Sequence, residues 1–361
     1  SIYHCQQDVI TGSATIFLRC RRCLSASLPA LKAGRPEHIR RNQQVFLGIE
    51  IGGTKLQLGV GRGDGELVAL ERHEVISGRR ATGIISDIES TGRAFKQRFD
   101  IQCVGVGFGG PVDRQSGCIT KSHQISGWDR FPFVEWCRGS LGLPVVLGND
   151  CDCAALAEAV FGAGKGASRV FYVTVGTGIG GGFVVDGKIE GTDRPAIAEI
   201  GHLRPGLDHR SADETIESVA SGPGIVALAR RRMDAQSPGP AARDAHVADL
   251  LNRCDGEVDQ LNTKMIAGAA ADGNQVARQV LAHAVETLGW GMAQVVTLLA
   301  PQMVVVGGGV SLMPEELFFE PLKQMVARYV FPPLAQSYSL EPAMLGEEVV
   351  VHGALVLCRD R

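Results

Sequence analysis

The sequence has no surplus of positive charge, no long apolar run and no regular ladder of cysteines. Its 36 Lys and Arg stand against 39 Asp and Glu, a formal net charge of −3. A protein that grips a phosphate backbone concentrates Lys and Arg on one face, so no nucleic-acid partner is expected. A bilayer-spanning helix needs roughly 18 apolar residues. Val9 to Leu18 is broken by Thr11, Gly12, Ser13 and Thr15, and no membrane partner is expected either. The ten cysteines, at 5, 20, 23, 103, 118, 137, 151, 153, 254 and 358, are irregularly spaced and several lie in apolar runs. They read as reduced core thiols of a cytoplasmic protein. Cys20 and Cys23 form one CxxC with no second pair or histidines at zinc spacing, and are incidental to a tail.

What is present is the composition of a globular protein, with 45% hydrophobic and 21% charged residues over 361 positions. That length exceeds one compact core, so two domains are expected. Residues 1–44 lack apolar periodicity and carry Arg19, Arg21, Arg22, Lys32 and Arg35 with no acid between Asp8 and Glu37. They read as a disordered leader, a transit peptide or upstream sequence, the first Met being Met233.

Order begins with an apolar strand, Val45–Ile51, then the turn Gly52-Gly53-Thr54-Lys55, a strand from Leu56 to Val60, a third run from Leu67 to Ile76, and a helix over 81–99. The plan recurs with a strand over 170–175, a glycine-rich turn over 176–182, and a strand over 183–185. Two copies of one unit imply duplicated α/β domains. Between them fall strands over 101–108 and 145–148 and a helix over 151–161; a long helix over 274–299 feeds a strand at 303–306, and residues 234–262 read as a surface excursion. The domains are expected at 45–148 and 149–345, with a C-terminal helix over 346–361 packing back on the first.

Two GxGxxG patterns occur, Gly105/Gly107/Gly110 and Gly176/Gly178/Gly181. A dinucleotide fingerprint needs a helix opening at the last glycine. Pro111 follows the first and an apolar strand the second, so both fail on context. The turns Gly52–Lys55 and Gly176–Gly180 fit better as paired phosphate-binding loops, with Thr and Lys55 as additional donors.

Gly48-Ile49-Glu50-Ile51-Gly52-Gly53-Thr54-Lys55, Gly148-Asn149-Asp150, Thr174–Gly182, Glu199-Ile200-Gly201-His202 and Val306-Gly307-Gly308-Gly309 together resemble the ROK family of sugar kinases and repressors, from about Phe46 onward. The resemblance implies duplicated actin-like (ribonuclease H-like) ATPase domains, two lobes with a cleft between them. It implies ATP and Mg²⁺ as cofactors and a free hexose as substrate. Gly52, Gly53, Thr54 and Lys55 belong to the first phosphate loop, Gly176, Thr177 and Gly178 to the second, and Gly308 and Gly309 to the adenosine turn. Asp150 takes the place of the catalytic base, and a carboxylate at a strand end can accept a hydroxyl proton. Its competing role is to cap the following helix. Asn149, Glu199, His202 and Glu217 resemble the sugar-binding residues, with Gly110 and with His123 or Gln124 completing the set.

Three departures bear on chemistry. No cysteine follows Glu-x-Gly-His in Gly206–Asp213, where relatives have CxCGxxGC, so no structural zinc is expected and His202 must be oriented otherwise. Glu50 stands where relatives have Asp and is expected to position Mg²⁺ through water. A Gln or His replaces the usual Asn near 123–124, which leaves glucose, mannose or an N-acetylhexosamine open. A homodimer is compatible with all of this. The rivals to a kinase are a sugar-sensing repressor, for which the leader is too short and unpatterned to be a winged helix, and a silent sugar-binding relative.

Overall fold

The protein is described by a computed structural model over residues 44–361, apart from His123, Pro195, 207–210 and 236–243. The leader, its CxxC pair and His123 therefore lie outside the described residues. The chain runs β1 (Val45–Ile51), β2 (Lys55–Gly61), β3 (Leu67–Glu74), α1 (Arg80–Arg98), β4 (Ile101–Phe108), a short ribbon of β5 (Val112–Asp113) and β6 (Cys118–Ile119), α2 (Phe133–Leu141), β7 (Val145–Asn149) and α3 (Asp150–Val160). It continues with β8 (Arg169–Val175), β9 (Ile179–Val185), β10 (Lys188–Ile189), α4 (Ile216–Ala220), α5 (Gly222–Ala235), α6 (Ala245–Arg253), α7 (Thr263–Ala271), α8 (Gln275–Leu299), β11 (Met303–Gly307), α9 (Phe319–Tyr329), β12 (Ser339–Pro342) and α10 (Val349–Arg359).

Two five-stranded sheets form, ordered β3-β2-β1-β4-β7 and β10-β9-β8-β11-β12. In each, the first three strands are antiparallel neighbours and the last two join in parallel. The duplicated plan read from the turns is therefore a duplicated sheet topology, that of an actin-like, two-lobed ATPase fold. Glycine-rich turns sit at the β1–β2 and β8–β9 hairpins, the matching reversals of the two sheets. The parallel joins need helical crossovers, supplied by α1 and α2 in the first sheet and by the α4–α8 series and α9 in the second.

Each sheet has its own core. Leu47, Ile49, Leu58, Ile88, Val106 and Phe133 are buried around the first, and Phe171, Val173, Ile216, Val280, Leu322 and Val306 around the second. A third cluster, including Ala155, Tyr172, Val305 and Val350, joins α3 and α10 to the strands beside them. α10 lies on β1 and β4 and against α3. Its approach to the sheet is set by glycine: a Cβ at Gly105 would come within 1.9 Å of the Ala354 carbonyl oxygen.

Two readings of the sequence are corrected. The glycine run is turn only as far as Gly178; Gly180, Gly181 and Gly182 belong to β9. A Cβ at Gly182 would stand 2.5 Å from the Cys151 carbonyl oxygen and one at Gly180 2.6 Å from its sulfur, so those glycines admit α3 rather than bend the chain. The stretch 234–262 is not only surface, because Val247 and Leu250 of α6, with Cys254 and Leu261, are buried in the second core. Its charges hid an amphipathic helix. Among the described residues no helix is long and apolar enough to cross a membrane.

Candidate active site

Asp150 opens α3 where β7 ends, but it is Asn149 that caps the helix. The Asn149 Oδ1 accepts from the backbone N–H of Cys151 at 2.8 Å and of Asp152 at 3.2 Å, and its Nδ2 donates to the Gly110 carbonyl at 3.1 Å. Asn149 and Gly110 are thus brought together as a frame for the turn. Asp150 Oδ1 shares the Cys151 N–H at 2.9 Å, while Oδ2 faces Gly109, where a Cβ would sit 3.3 Å away. Burial pushes the Asp150 carboxyl up to about 6 against the pull of those N–H groups.

The two loops face this carboxylate from different sheets. In the first, Gly52 N–H donates to the Lys55 carbonyl at 2.9 Å and pins the turn. Thr54 is exposed at its tip. The Gln124 side chain lies over Gly53 so closely that any Cβ there would overlap its Oε1, which puts Gln124 against the first loop, where the sequence had offered it, or His123, for the sugar. Lys55 Nζ reaches the Glu347 carbonyl at 3.0 Å and Glu50 Oε1 at 3.4 Å. Gln57, not foreseen, donates to Glu50 Oε2 at 2.6 Å and to the Glu347 carbonyl at 2.8 Å. Burial raises Glu50 to about 6, Lys55 and Gln57 oppose that, and the Asp150 charge adds to it.

The second loop is closed by Gly176 N–H donating to the Gly178 carbonyl at 2.9 Å, with Thr177 exposed at the tip. Glu217, on the first turn of α4, accepts the Ile179 N–H at 2.7 Å, and a Cβ on Gly178 would lie 2.7 Å from the same oxygen. A carboxylate expected only in a sugar site therefore fixes the turn between β8 and β9. Gly308 turns with φ 90° against Val175, and Gly309 beside it is open.

Glu199 is half-buried at the start of the turn Ile200–His202. Burial raises its carboxyl, His202 opposes, and the charges of Asp150 and Glu217 add to the shift, so these four groups share one field. His202 itself is exposed rather than packed inside. Asp152 completes the group: burial pushes it up to about 7, with Arg114 opposing and Asp150 and Glu199 reinforcing. Nothing in the sequence distinguished it from the other polar residues of a helix.

A cavity of about 460 Å³ is floored by Glu50, Lys55, Asp150 and Thr174 and bounded by Gly176, Gly308 and Gly309. It meets a larger one, about 1300 Å³, which extends from Gly176, Thr177 and Gly309 over Gly222, Arg230, Asn262 and Lys264. Gly222 N–H donates to the Gly176 carbonyl at 2.8 Å, which ties its turn to the second loop, and the Gly222 carbonyl accepts the Thr263 hydroxyl of α7 at 3.0 Å. These wall residues were missed; Ser221-Gly222-Pro223-Gly224 was the available signal.

Residues 46–361 match the model of the ROK family. The chain belongs to the ROK family. It is 31% identical over 322 residues to a glucokinase of Streptomyces coelicolor, covering 87% of this chain and 97% of that one. Over 336 residues it is 24% identical to a xylose repressor of Caldicellulosiruptor bescii, covering 90% of this chain and 80% of that protein. The crystal structure of a ROK family glucokinase from Streptomyces griseus in complex with glucose and AMPPNP is similar at a TM-score of 0.73 and 31% identity, covering 88% of this chain and 100% of that one. Within this ROK chain, Lys55 of the first loop, Gly176 of the second and the Asp150 carboxylate thus line one cavity of a sugar-kinase fold, while Glu199 lines a small separate one with Asn149 and Asp152.

Proposed function

We propose that this ROK protein transfers the γ-phosphoryl group of ATP to a hydroxyl of a free hexose, with Asp150 as general base. The observation that carries the reading is a carboxylate beside the capping Asn149, raised to about 6 by burial and lining the cavity that Lys55 of the first loop and Gly176 of the second border. A base of that pKa is ionised at neutral pH yet still holds a proton well. Asp150 Oδ2 takes the hydroxyl proton, the sugar oxygen bonds to the γ-phosphorus, and the bridging oxygen leaves with ADP. With the Gly52 and Gly176 amides closing the turns, those of Gly53–Thr54 and Thr177–Gly178 face the phosphates, and the adenosine lies along the larger cavity by Gly308 and Gly309.

Glu199, His202 and Glu217, with Asn149 and Gly110, form the hexose side, where carboxylates and an imidazole suit adjacent hydroxyls. Glu50 fits Mg²⁺ held through water, since Gln57 already donates to one of its oxygens and Lys55 lies against the other. The ion, when bound, neutralises charge on the β- and γ-phosphates. Residues 45–148 and 149–345 are the two lobes in this reading, with α10 returning to the first.

The relatives support glucose as the first sugar to test. A coupled assay for ADP release across glucose, mannose, fructose and N-acetylhexosamines, with Mg²⁺, should show sugar-stimulated turnover on at least one. The second reading, a sugar-responsive repressor, rests on the likeness to the xylose repressor and predicts sugar binding with no ADP released on any hexose.

A further inference from the structure

Across the back of the first sheet, β4 and α10 keep one register. A Cβ at Gly107 would lie 2.4 Å from Val350 Cγ1, and one at Gly105 1.9 Å from the Ala354 carbonyl oxygen. Two residues along a strand advance about 6.6 Å, and four along a helix about 6 Å. The next rung beyond Gly107/Val350 and Gly105/Ala354 is therefore Cys103 opposite Cys358. There the two thiols are near enough for each to shift the other's acidity.

We infer that Cys103 and Cys358 are a redox-responsive dithiol, a modification site at which a hydroperoxide closes a disulfide between β4 and α10. Cys103 is the attacking sulfur. The neighbouring Cys358 thiol and the Arg361 guanidinium hold its thiol below the ordinary range against the opposing effect of burial. By contrast, the neighbouring Cys103 sulfur and burial push Cys358 up. The Cys103 thiolate attacks one oxygen of hydrogen peroxide, breaking the O–O bond to give a sulfenic acid, and the departing hydroxide takes up the proton the thiol had lost and leaves as water. The Cys358 sulfur then attacks the sulfenic sulfur, its proton leaves with the displaced oxygen as a second water, and two thiols have been oxidised for one peroxide reduced to two waters.

Both sulfurs are buried, at 4% and 5% exposure, but Gln102 and Arg359–Arg361 beside them are exposed. A small hydroperoxide suits that access better than a bulky disulfide. The sulfurs must close to about 2.0 Å, a movement the last turn of α10 can supply. The other buried thiols are placed differently. Burial pushes Cys137 up to about 12 and raises Cys151 and Cys153 well above the usual range, so none of them offers a thiolate.

Peptide mass mapping under non-reducing conditions, after graded hydrogen peroxide treatment of the full chain, tests this. The expected product is a Cys103–Cys358 linked peptide, reversed by dithiothreitol, formed while Cys137, Cys151 and Cys153 remain reduced and circular dichroism is unchanged. Pairing of Cys103 with Cys137 would overturn it, as would sulfinic acid at Cys103 without a disulfide, or no reaction at either sulfur before unfolding. In a folded Cys358→Ser variant Cys103 should accumulate a sulfenic acid trapped by dimedone, and absence of that adduct would overturn its role as attacking thiol. The wild-type map decides the pairing even if the variant does not fold.

Discussion

Asp150 and Asn149 divide two tasks that either side chain could perform, and the division has a thermodynamic signature. A carboxyl whose pKa is about 6 when folded, against 3.8 as the ordinary value, binds its proton more tightly in the native state. Its contribution to stability is full below about pH 4 and is lost as pH rises through about 6. Asp150→Asn carries no such loss. Its melting temperature should therefore gain on the wild type between pH 4 and pH 8, by the equivalent of about 2–3 kcal/mol at the upper end. Melting curves that shift in parallel across this range would mean Asp150 is not destabilised by burial. The position of Asp150 was legible because a strand, an Asn-Asp pair and an Ala-rich helix follow one another. Which of the pair caps was not, since both residue types cap well and only the geometry assigns the N–H groups. Glu217's hold on Ile179 was equally hidden, because it joins residues 38 apart in sequence.

At the scale of elements, α3 links the site to the chain beyond β12 through one carboxylate. Glu158 is fully buried and accepts the N–H groups of Met344 and Leu345, both at 2.9 Å, and of Ala163 at 2.8 Å. Glu158→Ala leaves three partly buried hydrogen bonds without their acceptor. At about 1–3 kcal/mol for each unsatisfied group, urea unfolding should show a loss on the order of 3 kcal/mol or more, and a loss under about 1 kcal/mol would contradict this account of how α3 is anchored. Strands with unbroken apolar runs, β1, β4, β8 and β11, were read close to their true ends because their burial on both faces leaves no ambiguity of period. β9 was read short: its glycines mimic a turn in sequence, and only the proximity of α3 explains them.

For the whole molecule, duplication was the legible feature, since a strand, a glycine turn and a second strand recur in the same order in both halves of the chain. The larger cavity was not, because its walls come from α5, α7 and the turn after β11, far apart in the chain. Residues 1–43 precede the matched region that begins at residue 46. Deleting them should leave sugar-stimulated turnover within about twofold of the full chain, since both cores and both loops lie downstream. An inactive or insoluble truncated protein would refute that.

The central claim, that Asp150 is the base, is tested most directly by the turnover of Asp150→Asn on the best sugar of the panel, with sugar affinity measured by calorimetry on the same protein. The substitution keeps shape and leaves the Asn149 cap in place while removing the proton acceptor. Turnover should fall on the order of 10²- to 10⁴-fold, with sugar affinity altered far less. Near-normal turnover in this variant would contradict the assignment and return Asp150 to a structural role beside its capping neighbour.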